Sequence, residues 1–213
     1  IVDNEAVIRF AKEKEIDLVV VGPEAPLAGG LVDACESNGI LAFGPSKKAA
    51  TIEGSKAFAK DLMKKAGIPT ANYAVFDDKE EAKAYVRKQG TPIVIKADGL
   101  AAGKGVVVAM SLQEAENALE EIDKFGKAAK KIVVEEFMEG EEATLLAFAD
   151  GKRALAMVPS QDHKRIFDGD QGPNTGGMGT YAPAPVMTDA LVKEATEKIL
   201  QPIVDALAKE GAT

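Results

Sequence analysis

A glycine-rich segment between two apolar runs, KADGLAAGKG at residues 96–105, carries the residue types that bind phosphate. Glycines let backbone N–H groups come close to phosphate oxygens, and lysines neutralise the phosphate charge. The segment therefore predicts a site for a compound with phosphate groups. Its candidate residues are Lys96, Gly99, Gly103, Lys104 and Gly105.

This segment differs from the P-loop of nucleotide-hydrolysing proteins. The P-loop pattern has one more residue between its first glycine and its Gly-Lys pair than Gly99 and Gly103 allow. Gly105 also stands where a P-loop has Ser or Thr. The pattern instead predicts a hairpin folded over phosphates, with Lys96 reaching under it from the incoming strand. The alternative is a flexible hairpin with surface lysines, but a lysine ending an apolar strand is costly unless it is paired.

An acidic segment, VVEEFMEGEE at residues 133–142, follows a predicted strand. Backbone N–H and C=O groups leaving a strand in this way can bind the edge of an adenine ring, and a later carboxylate can accept from ribose hydroxyls. The alternative is a solvated acidic turn, because charge runs usually lie in solvent.

A polar segment at residues 161–179, QDHKRIFDGDQGPNTGGMG, brings together acids, bases, an amide and glycines. Long polar loops between elements usually carry function. We therefore expect substrate contacts here, and the alternative is a disordered surface loop. His163 is the one histidine of the chain, so a site built from several histidines is excluded.

The elements that position these segments begin with a layered α/β domain. Helical spacing at 5–14 and 27–37 alternates with short apolar runs at 16–21 and 40–43, and each run ends in Gly-Pro. Such runs are typical of buried parallel strands. The order helix, strand, helix, strand therefore predicts a βα layer.

Two serines predict the helices that follow. Ser46 is expected to cap a helix reaching Thr51, and Ser55 to cap a second helix that ends before Gly67. A helix N-terminus favours anions, so Lys56 is a further candidate for a phosphate contact.

The rest of the chain predicts a mixture of helices and strands. Strands are expected at 70–76, 92–95, 106–110 and 132–134, and helices at 79–89 and 112–122. An Asp-Gly pair predicts a β-hairpin between 144–149 and 153–158. We expect a loop over 160–185, and then a helix from about 188 to 209 that is bent at Pro202.

The composition excludes several classes of protein. The chain has 213 residues, with 26 Lys and Arg against 34 Asp and Glu, and its formal net charge is −8. This balance argues against a nucleic-acid binder, which needs concentrated Lys and Arg. No apolar run reaches the length of a membrane span. The one cysteine, Cys35, excludes an internal disulfide and is expected to pack in a core.

In their order along the chain, these segments resemble the ATP-grasp superfamily, and within it the glycinamide ribonucleotide synthetase family. The segments that carry the resemblance are 19–33, 43–56, 91–106, 133–146 and 161–185. The last is the longest and the most specific, and together they cover most of the chain.

The resemblance implies an α/β ATP-grasp fold and an ATP-dependent carboxylate–amine ligase. ATP would phosphorylate the carboxylate of glycine, and the amine of 5-phosphoribosylamine would attack the acyl phosphate. The products would be glycinamide ribonucleotide, ADP and phosphate, in de novo purine biosynthesis. The implied partners are these small molecules and ATP with Mg²⁺ or Mn²⁺, but no nucleic acid and no membrane. The implied protein is cytoplasmic, and a monomer or a dimer.

By position, the resemblance also implies roles for single residues. Those matching nucleotide-binding positions are Lys56, Lys96, Gly99, Gly103, Lys104, Gly105, Glu135, Phe137, Met138 and Glu142. The lysines would face the phosphates, the stretch 135–138 would contact adenine, with Phe137 and Met138 acting through their backbone groups, and Glu142 would bind ribose. The candidates for catalysis and substrate contact are Asp162, Lys164, Arg165, Asp168, Asn174 and Thr175.

The chain departs from the family pattern at both ends, because it shows neither a Gly-rich opening strand nor the metal ligands, which are expected beyond residue 213. We therefore expect an incomplete Rossmann-like layer with linking helices at 1–68, a lid subdomain at 69–135 and the start of a truncated central subdomain at 136–213. Such a chain would bind nucleotide poorly. Two alternatives remain open: another ATP-grasp carboxylate–amine ligase, or a nucleotide-binding fragment with no activity of its own.

Overall fold

The computed structural model of the chain describes residues 2–101, 105–169 and 171–212, with only the backbone of residues 173 and 174. Helices and short strands alternate in its first part, and antiparallel strands follow. Within these residues, no helix combines the length and the apolar character needed to span a membrane.

The first part of the chain forms a small parallel layer. Its elements are α1 (Asn4–Glu13), β1 (Leu18–Val20), α2 (Glu24–Gly29), α3 (Leu31–Ser37) and β2 (Leu41–Phe43). Strands β1 and β2 pair in parallel, with Leu18 opposite Leu41, as the sequence predicted. The predicted burial of both strands holds on one face only, because the side chains of the other face are exposed, namely Leu18, Val20, Leu41 and Phe43. Val19 and Ala42 pack against the core that contains Cys35. Cys35 is fully buried, as predicted, and burial raises the pKa of its thiol.

The single helix predicted over residues 27–37 is broken in two at Gly30. Gly30 has a φ of +84°, a left-handed conformation that glycine adopts at little cost. Its N–H group donates to the carbonyl of Leu27 at the end of α2, and its own carbonyl accepts from Ala34 in α3. The glycine therefore ends one helix and starts the next in a new direction.

Two helices, α4 (Thr51–Gly54) and α5 (Lys56–Ala66), connect this layer to the next sheet. The helix predicted from Ser46 to Thr51 forms only in part. The Ser46 hydroxyl accepts from the Ala49 N–H group at 3.3 Å, as expected of a cap, but residues 47–50 are turns and the helix begins at Thr51. Helix α5 has the predicted limits. The Ser55 hydroxyl caps it by accepting from the Phe58 N–H group at 3.1 Å.

A four-stranded antiparallel sheet forms the centre of the chain. Its elements are β3 (Tyr73–Phe76), α6 (Lys79–Gln89), β4 (Ile93–Ala97), β5 (Val106–Ala109), α7 (Leu112–Glu121), a 3₁₀ segment (Ile122–Lys130) and β6 (Ile132–Glu136). The strand order is β3–β6–β4–β5. All four strands and both helices were predicted within a few residues of these limits.

The two faces of this sheet have different environments. On β4, Ile93 and Ile95 are buried in a core with α6 and α7, while Val94 and Lys96 alternate with them on the other face. Val94 lies opposite Glu135 of β6, so these two side chains share a face. We call the face that carries Val94, Lys96 and Glu135 the open face.

The last part of the chain contains two β-hairpins and a long helix. Its elements are β7 (Ala147–Ala149), β8 (Ala154–Ala156), β9 (Gln161–Phe167), β10 (Gln171–Tyr181), α8 (Asp189–Ala195), a π-helical turn (Thr196–Leu200) and α9 (Gln201–Lys209). The pairing of β7 with β8 confirms the hairpin predicted at the Asp-Gly pair. A π-helical turn precedes Pro202, and the bend predicted at Pro202 itself stays a prediction.

The loop predicted over residues 160–185 is instead an antiparallel hairpin of β9 and β10. Gln161 lies opposite Tyr181, and Phe167 lies opposite Gln171. The register shifts twice along β10, so bulges absorb its additional residues. Its glycines and polar residues resemble a loop in composition, but the backbone is paired.

Candidate active site

Lys96 and Glu135 meet on the open face. They lie on the neighbouring strands β4 and β6, and Lys96 Nζ is 2.9 Å from Glu135 Oε2. The Lys96 side chain is 25% exposed, whereas the Glu135 side chain is only 6% exposed. Because Lys96 extends from a buried carboxylate toward solvent, its ammonium can also reach an incoming anion.

Lys60 of α5 completes this charged group, and the sequence pattern did not single it out. Its Nζ lies 3.0 Å from the same oxygen of Glu135, 2.8 Å from Thr70 Oγ1 and 3.3 Å from the carbonyl oxygen of Ala71. The signal that could have found it is helix spacing. Lys60 follows Lys56 by one helical turn, so both lie on the same side of α5.

The three side chains together carry a surplus positive charge. Lys60 and Lys96 share one oxygen of Glu135, while the other oxygen, Oε1, is buried without a hydrogen-bond partner among the residues described. We call Lys60, Lys96 and Glu135 the charged triad. Its surplus positive charge favours a negatively charged ligand on the open face.

Lys56 lies at the start of α5 and points toward the base of the glycine-rich segment. Its Nζ donates to the carbonyl oxygens of Asp98, at 3.2 Å, and Gly99, at 3.0 Å. Desolvation lowers the pKa of Lys56, and the nearby Asp98 carboxylate partly opposes that change. The hydrogen-bond partners of this ammonium are neutral carbonyl oxygens, which a charged phosphate oxygen can replace.

Asp98 ties the glycine-rich segment to α5. Its carboxylate accepts from the Ala57 N–H group at 2.7 Å and from the Ser55 hydroxyl at 3.0 Å. Ser55 in turn accepts from Phe58. These N-terminal N–H groups of α5 are therefore already bonded within the protein, which leaves the Lys56 ammonium as the group offered to an anion.

Gly99 and Gly105 of the glycine-rich segment allow close packing against neighbouring residues. The Gly99 N–H group donates to Ala128 at 3.0 Å, and a Cβ atom on Gly99 would lie 2.9 Å from the Ala128 backbone. A Cβ atom on Gly105 would lie 2.6 Å from Ala101. Gly103 and Lys104, the other two candidates, lie outside the described residues.

The predicted adenine-binding segment leaves the sheet at the end of β6. Phe137 is half-buried and Met138 is 68% exposed. Neither backbone N–H group donates a hydrogen bond to another described residue. Glu136, between Glu135 and these residues, is held by the Asn72 side chain at 2.6 Å, and hydrogen bonds from Asn72 lower the pKa of its carboxyl.

Three predicted site residues form a second charged group beside β9. Lys164 pairs with Glu142 and lies 3.6 Å from Asp162 Oδ2. The hydrogen bond to Glu142, above all, raises the pKa of Lys164. Thr144 donates to the other oxygen of Asp162 at 3.4 Å. The acidic segment therefore links the open face, at Glu135, to this second group.

The remaining catalytic candidates are dispersed over the hairpin. Arg165 lies on the opposite face of β9 from Lys164, because successive strand residues alternate, and it donates to a backbone carbonyl of β10 at 3.4 Å. Thr175 donates to the carbonyl of Lys164 at 2.9 Å and so joins the two strands. Asp168 is exposed in the turn. The side chain of Asn174 is outside the described part.

A divalent metal, which the resemblance implies, does not fit the described residues. Across 2–101, 105–169 and 171–212, no three His, Cys, Asp or Glu side chains are grouped to hold a metal ion. Glu135, Glu142 and Asp162 each lie against a lysine.

The fold and the charged open face are those of an ATP-grasp protein. The family model of the phosphoribosylglycinamide synthetase ATP-grasp (A) domain matches residues 54–213, and the model of the N domain of the same synthetase matches residues 1–53. The chain therefore belongs to the phosphoribosylglycinamide synthetase family, which confirms the resemblance read from the motifs.

Individual relatives agree with this family. A phosphoribosylamine–glycine ligase of Brucella melitensis is 57% identical over 212 residues, which are 99% of this chain and 50% of that protein. The crystal structure of the Thermotoga maritima phosphoribosylamine–glycine ligase has a TM-score of 0.75 and 37% identity, and the match covers 91% of this chain and 48% of that one. The chain thus spans about half the length of the curated relatives it matches.

A more distant likeness shows the fold alone. The biotin carboxylase domain of Hydrogenobacter thermophilus 2-oxoglutarate carboxylase, solved with MgADP, ADP and bicarbonate, has a TM-score of 0.72 and 21% identity. The match covers 96% of this chain and 46% of that one. Together with the ATP-grasp family model and the Thermotoga maritima structure, this likeness confirms the α/β ATP-grasp fold expected from the sequence.

Proposed function

We propose that the protein carrying this chain joins glycine to 5-phosphoribosylamine at the expense of ATP, giving glycinamide ribonucleotide, ADP and phosphate. The identity of 57% with a phosphoribosylamine–glycine ligase supports the reaction. The observation that carries the proposal is the cationic open face, where Lys56 and Lys96 present ammonium groups beside the base of a glycine-rich hairpin.

The proposed reaction has two steps and needs no nucleophilic side chain. A carboxylate oxygen of glycine attacks the γ-phosphorus of ATP, and the bond to the β-phosphate oxygen breaks to release ADP. The amine of phosphoribosylamine then attacks the acyl carbon of glycyl phosphate, phosphate leaves, and the nitrogen loses a proton. The protein contributes positioning and charge neutralisation.

In this proposal the nucleotide lies on the open face. Lys56 and Lys96 neutralise its phosphates, and Gly103 and Lys104 remain candidates for phosphate contacts by their place in the glycine-rich sequence. The backbone groups after β6, at residues 137–138, bind adenine. A charge-assisted contact of each ammonium with a phosphate oxygen replaces its present contacts with carbonyl or carboxylate oxygens.

The ribose and the remaining substrates are assigned to the second charged group. Glu142 accepts from the ribose hydroxyls, and Lys164 and Asp162 contact the substrates, with Arg165 and Thr175 holding the hairpin that carries them. Asp168 and Asn174 remain candidates by position. We further propose the division into 1–68, 69–135 and 136–213, which the separate cores of the first two parts support.

A hybrid enzyme tests this function. This chain would replace the matching half of the Brucella melitensis ligase, to which it is 57% identical. We expect the purified hybrid to release ADP only when glycine and phosphoribosylamine are both present. We also expect Lys96→Met to lower the rate by about 10²-fold or more, as loss of a charge-stabilising donor does.

The controls for this assay are the unaltered Brucella ligase and a Lys65→Met hybrid, since Lys65 is exposed on the same helix as Lys56. A folded hybrid that releases no ADP contradicts the proposed reaction. Release with another amino acid in place of glycine would indicate a different ATP-grasp ligase. Undiminished activity of Lys96→Met would remove Lys96 from the site.

A further inference from the structure

The charged triad raises a question of charge compensation, because the proposed function requires Lys96 to bind a phosphate. If Lys96 turns to a phosphate, Glu135 loses one of its two ammonium partners. Its carboxylate is buried, and a buried charge without a partner is strongly unfavourable. Lys96 could then leave Glu135 only if another cation stays with the carboxylate.

The contacts of Lys60 identify it as the cation that stays with Glu135. Its side chain is 9% exposed and lies 3.0 Å from Glu135 Oε2. Thr70 Oγ1 and the carbonyl of Ala71 hold its other donors, at 2.8 and 3.3 Å. An ammonium with three donors and three partners is fixed in place.

Lys96 differs from Lys60 in these respects. It is 25% exposed, and Glu135 is its single side-chain partner among the described residues. Of the two ammonium groups on this carboxylate, one is therefore fastened to the protein and the other is able to move toward an anion.

We propose that Lys60 is a positioning residue for the nucleotide phosphates, because it keeps Glu135 paired while Lys96 turns from that carboxylate to a phosphate oxygen. Lys60 itself does not contact the ligand. The inference rests on the proposed nucleotide site and adds to it a residue whose effect depends on the charge of the ligand. ATP requires Lys96 to move, whereas adenosine, which has no phosphate, does not.

The test compares ATP with adenosine as ligands of the complete 213-residue chain. Amide chemical shifts of the ¹⁵N-labelled chain give both dissociation constants, even for weak binding. In Lys60→Gln we expect the affinity for ATP to fall at least about tenfold and that for adenosine to stay within about twofold. Lys60→Arg keeps the charge and should keep most of the ATP affinity, and Lys65→Gln is the matched control on α5.

A second variant covers the case in which Lys60→Gln does not fold. Lys60→Gln combined with Glu135→Gln leaves no buried carboxylate without a partner, so we expect it to recover most of the preference for ATP over adenosine. A single variant with the wild-type ratio of affinities, or a double variant as impaired as the single one, overturns the role of Lys60. Equal losses for both ligands also overturn it, because they indicate a structural effect only.

The same titration distinguishes a failure of the role of Lys60 from a failure of the proposed nucleotide site. If the unaltered chain binds neither ATP nor adenosine, the proposed nucleotide site is contradicted and the role of Lys60 is overturned with it. If the unaltered chain binds ATP and Lys60→Gln binds it equally well, the nucleotide site stands and only the role of Lys60 is overturned.

Discussion

Tyr73 of β3 lies next to the charged triad, and its phenol is held in the neutral form. Its hydroxyl donates to Asp61 Oδ1 at 2.6 Å, and the ammonium groups of Lys60 and Lys64 lie 5.8 Å from the centre of its ring. Burial and then the hydrogen bond to Asp61 raise the pKa of Tyr73 to about 12. Because the folded pKa exceeds the usual value of about 10, the stability it contributes is complete below about pH 10 and is lost as the pH rises toward 12.

An alkaline titration tests this state of Tyr73. We expect the absorbance at about 295 nm of the wild-type chain, minus that of Tyr73→Phe, to rise with a midpoint near pH 12. In the same pH range the wild-type chain should lose its advantage in unfolding free energy over Tyr73→Phe. A difference titration centred near pH 10 would contradict the hydrogen bond to Asp61.

The sequence analysis singled out Lys56 and Lys96, whose surroundings in the sequence are distinctive. It missed Lys60, whose contact with Glu135 depends on packing. Lys96 and Lys56 stand in or near a glycine-rich pattern with a chemical meaning of its own. Lys60 stands in an ordinary amphipathic helix, and only the approach of α5 to β6 turns it into a partner of Glu135. Helix spacing from Lys56 could have placed Lys60 on the same side of α5, but its contact with Glu135, far apart in sequence, has no local signal.

At the scale of elements, the Asp98 carboxylate joins the hairpin of β4 and β5 to the N-terminus of α5. We expect Asp98→Ala to cost about 1–2 kcal/mol of unfolding free energy, because the Ala57 N–H group and the Ser55 hydroxyl lose their acceptor. Urea denaturation measures this cost. Asp17→Ala, at an exposed loop position, is the control and should change stability by less than about 0.5 kcal/mol.

A loss for Asp98→Ala no larger than that for Asp17→Ala would mean that the carboxylate does not tie the two elements together. Asp98 also contributes to the candidate site through its backbone carbonyl. Lys56 Nζ takes its two contacts from the carbonyl groups of Asp98 and Gly99, so the same junction holds the ammonium of Lys56 beside the hairpin.

Elements with a strong hydrophobic period were predicted well, and the hairpin of β9 and β10 was not. Strand β4 alternates buried Ile93 and Ile95 with Lys96, which identifies both its type and its open face. Strand β10 contains glycines and a proline and has two register shifts, so its side chains show no simple alternation. Backbone pairing, which composition does not reveal, defines this hairpin.

At the scale of the whole molecule, the described residues contain two separate clusters of buried apolar side chains, and other buried residues, such as Leu62 and Val204, belong to neither. One contains Val32 and Cys35 in the parallel layer, and the other contains Val86, Ile95 and Leu119 beneath the four-stranded sheet. No residue belongs to both groups as described. The sequence pattern suggested this division, and the domain limits at 68 and 135 stay a prediction.

A cavity in one core tests whether the two units are independent. Leu119 is fully buried, so we expect Leu119→Ala to cost about 2–5 kcal/mol. Amide hydrogen exchange should then accelerate across residues 73–136 and stay unchanged across residues 4–43. Leu155→Ala is the control because Leu155 is 69% exposed. Equal acceleration in both ranges would show that the chain unfolds as one unit.

The strand order of the central sheet has a consequence for synthesis on the ribosome. Strand β6 lies between β3 and β4, yet it is the last of the four strands in the chain. Until β6 has emerged, β4 can pair only with β5, and β3 has no neighbour in the sheet. The apolar edge of the β4–β5 hairpin therefore stays open while about two dozen further residues are translated, which makes this interval a point where a chaperone or a second nascent chain could bind.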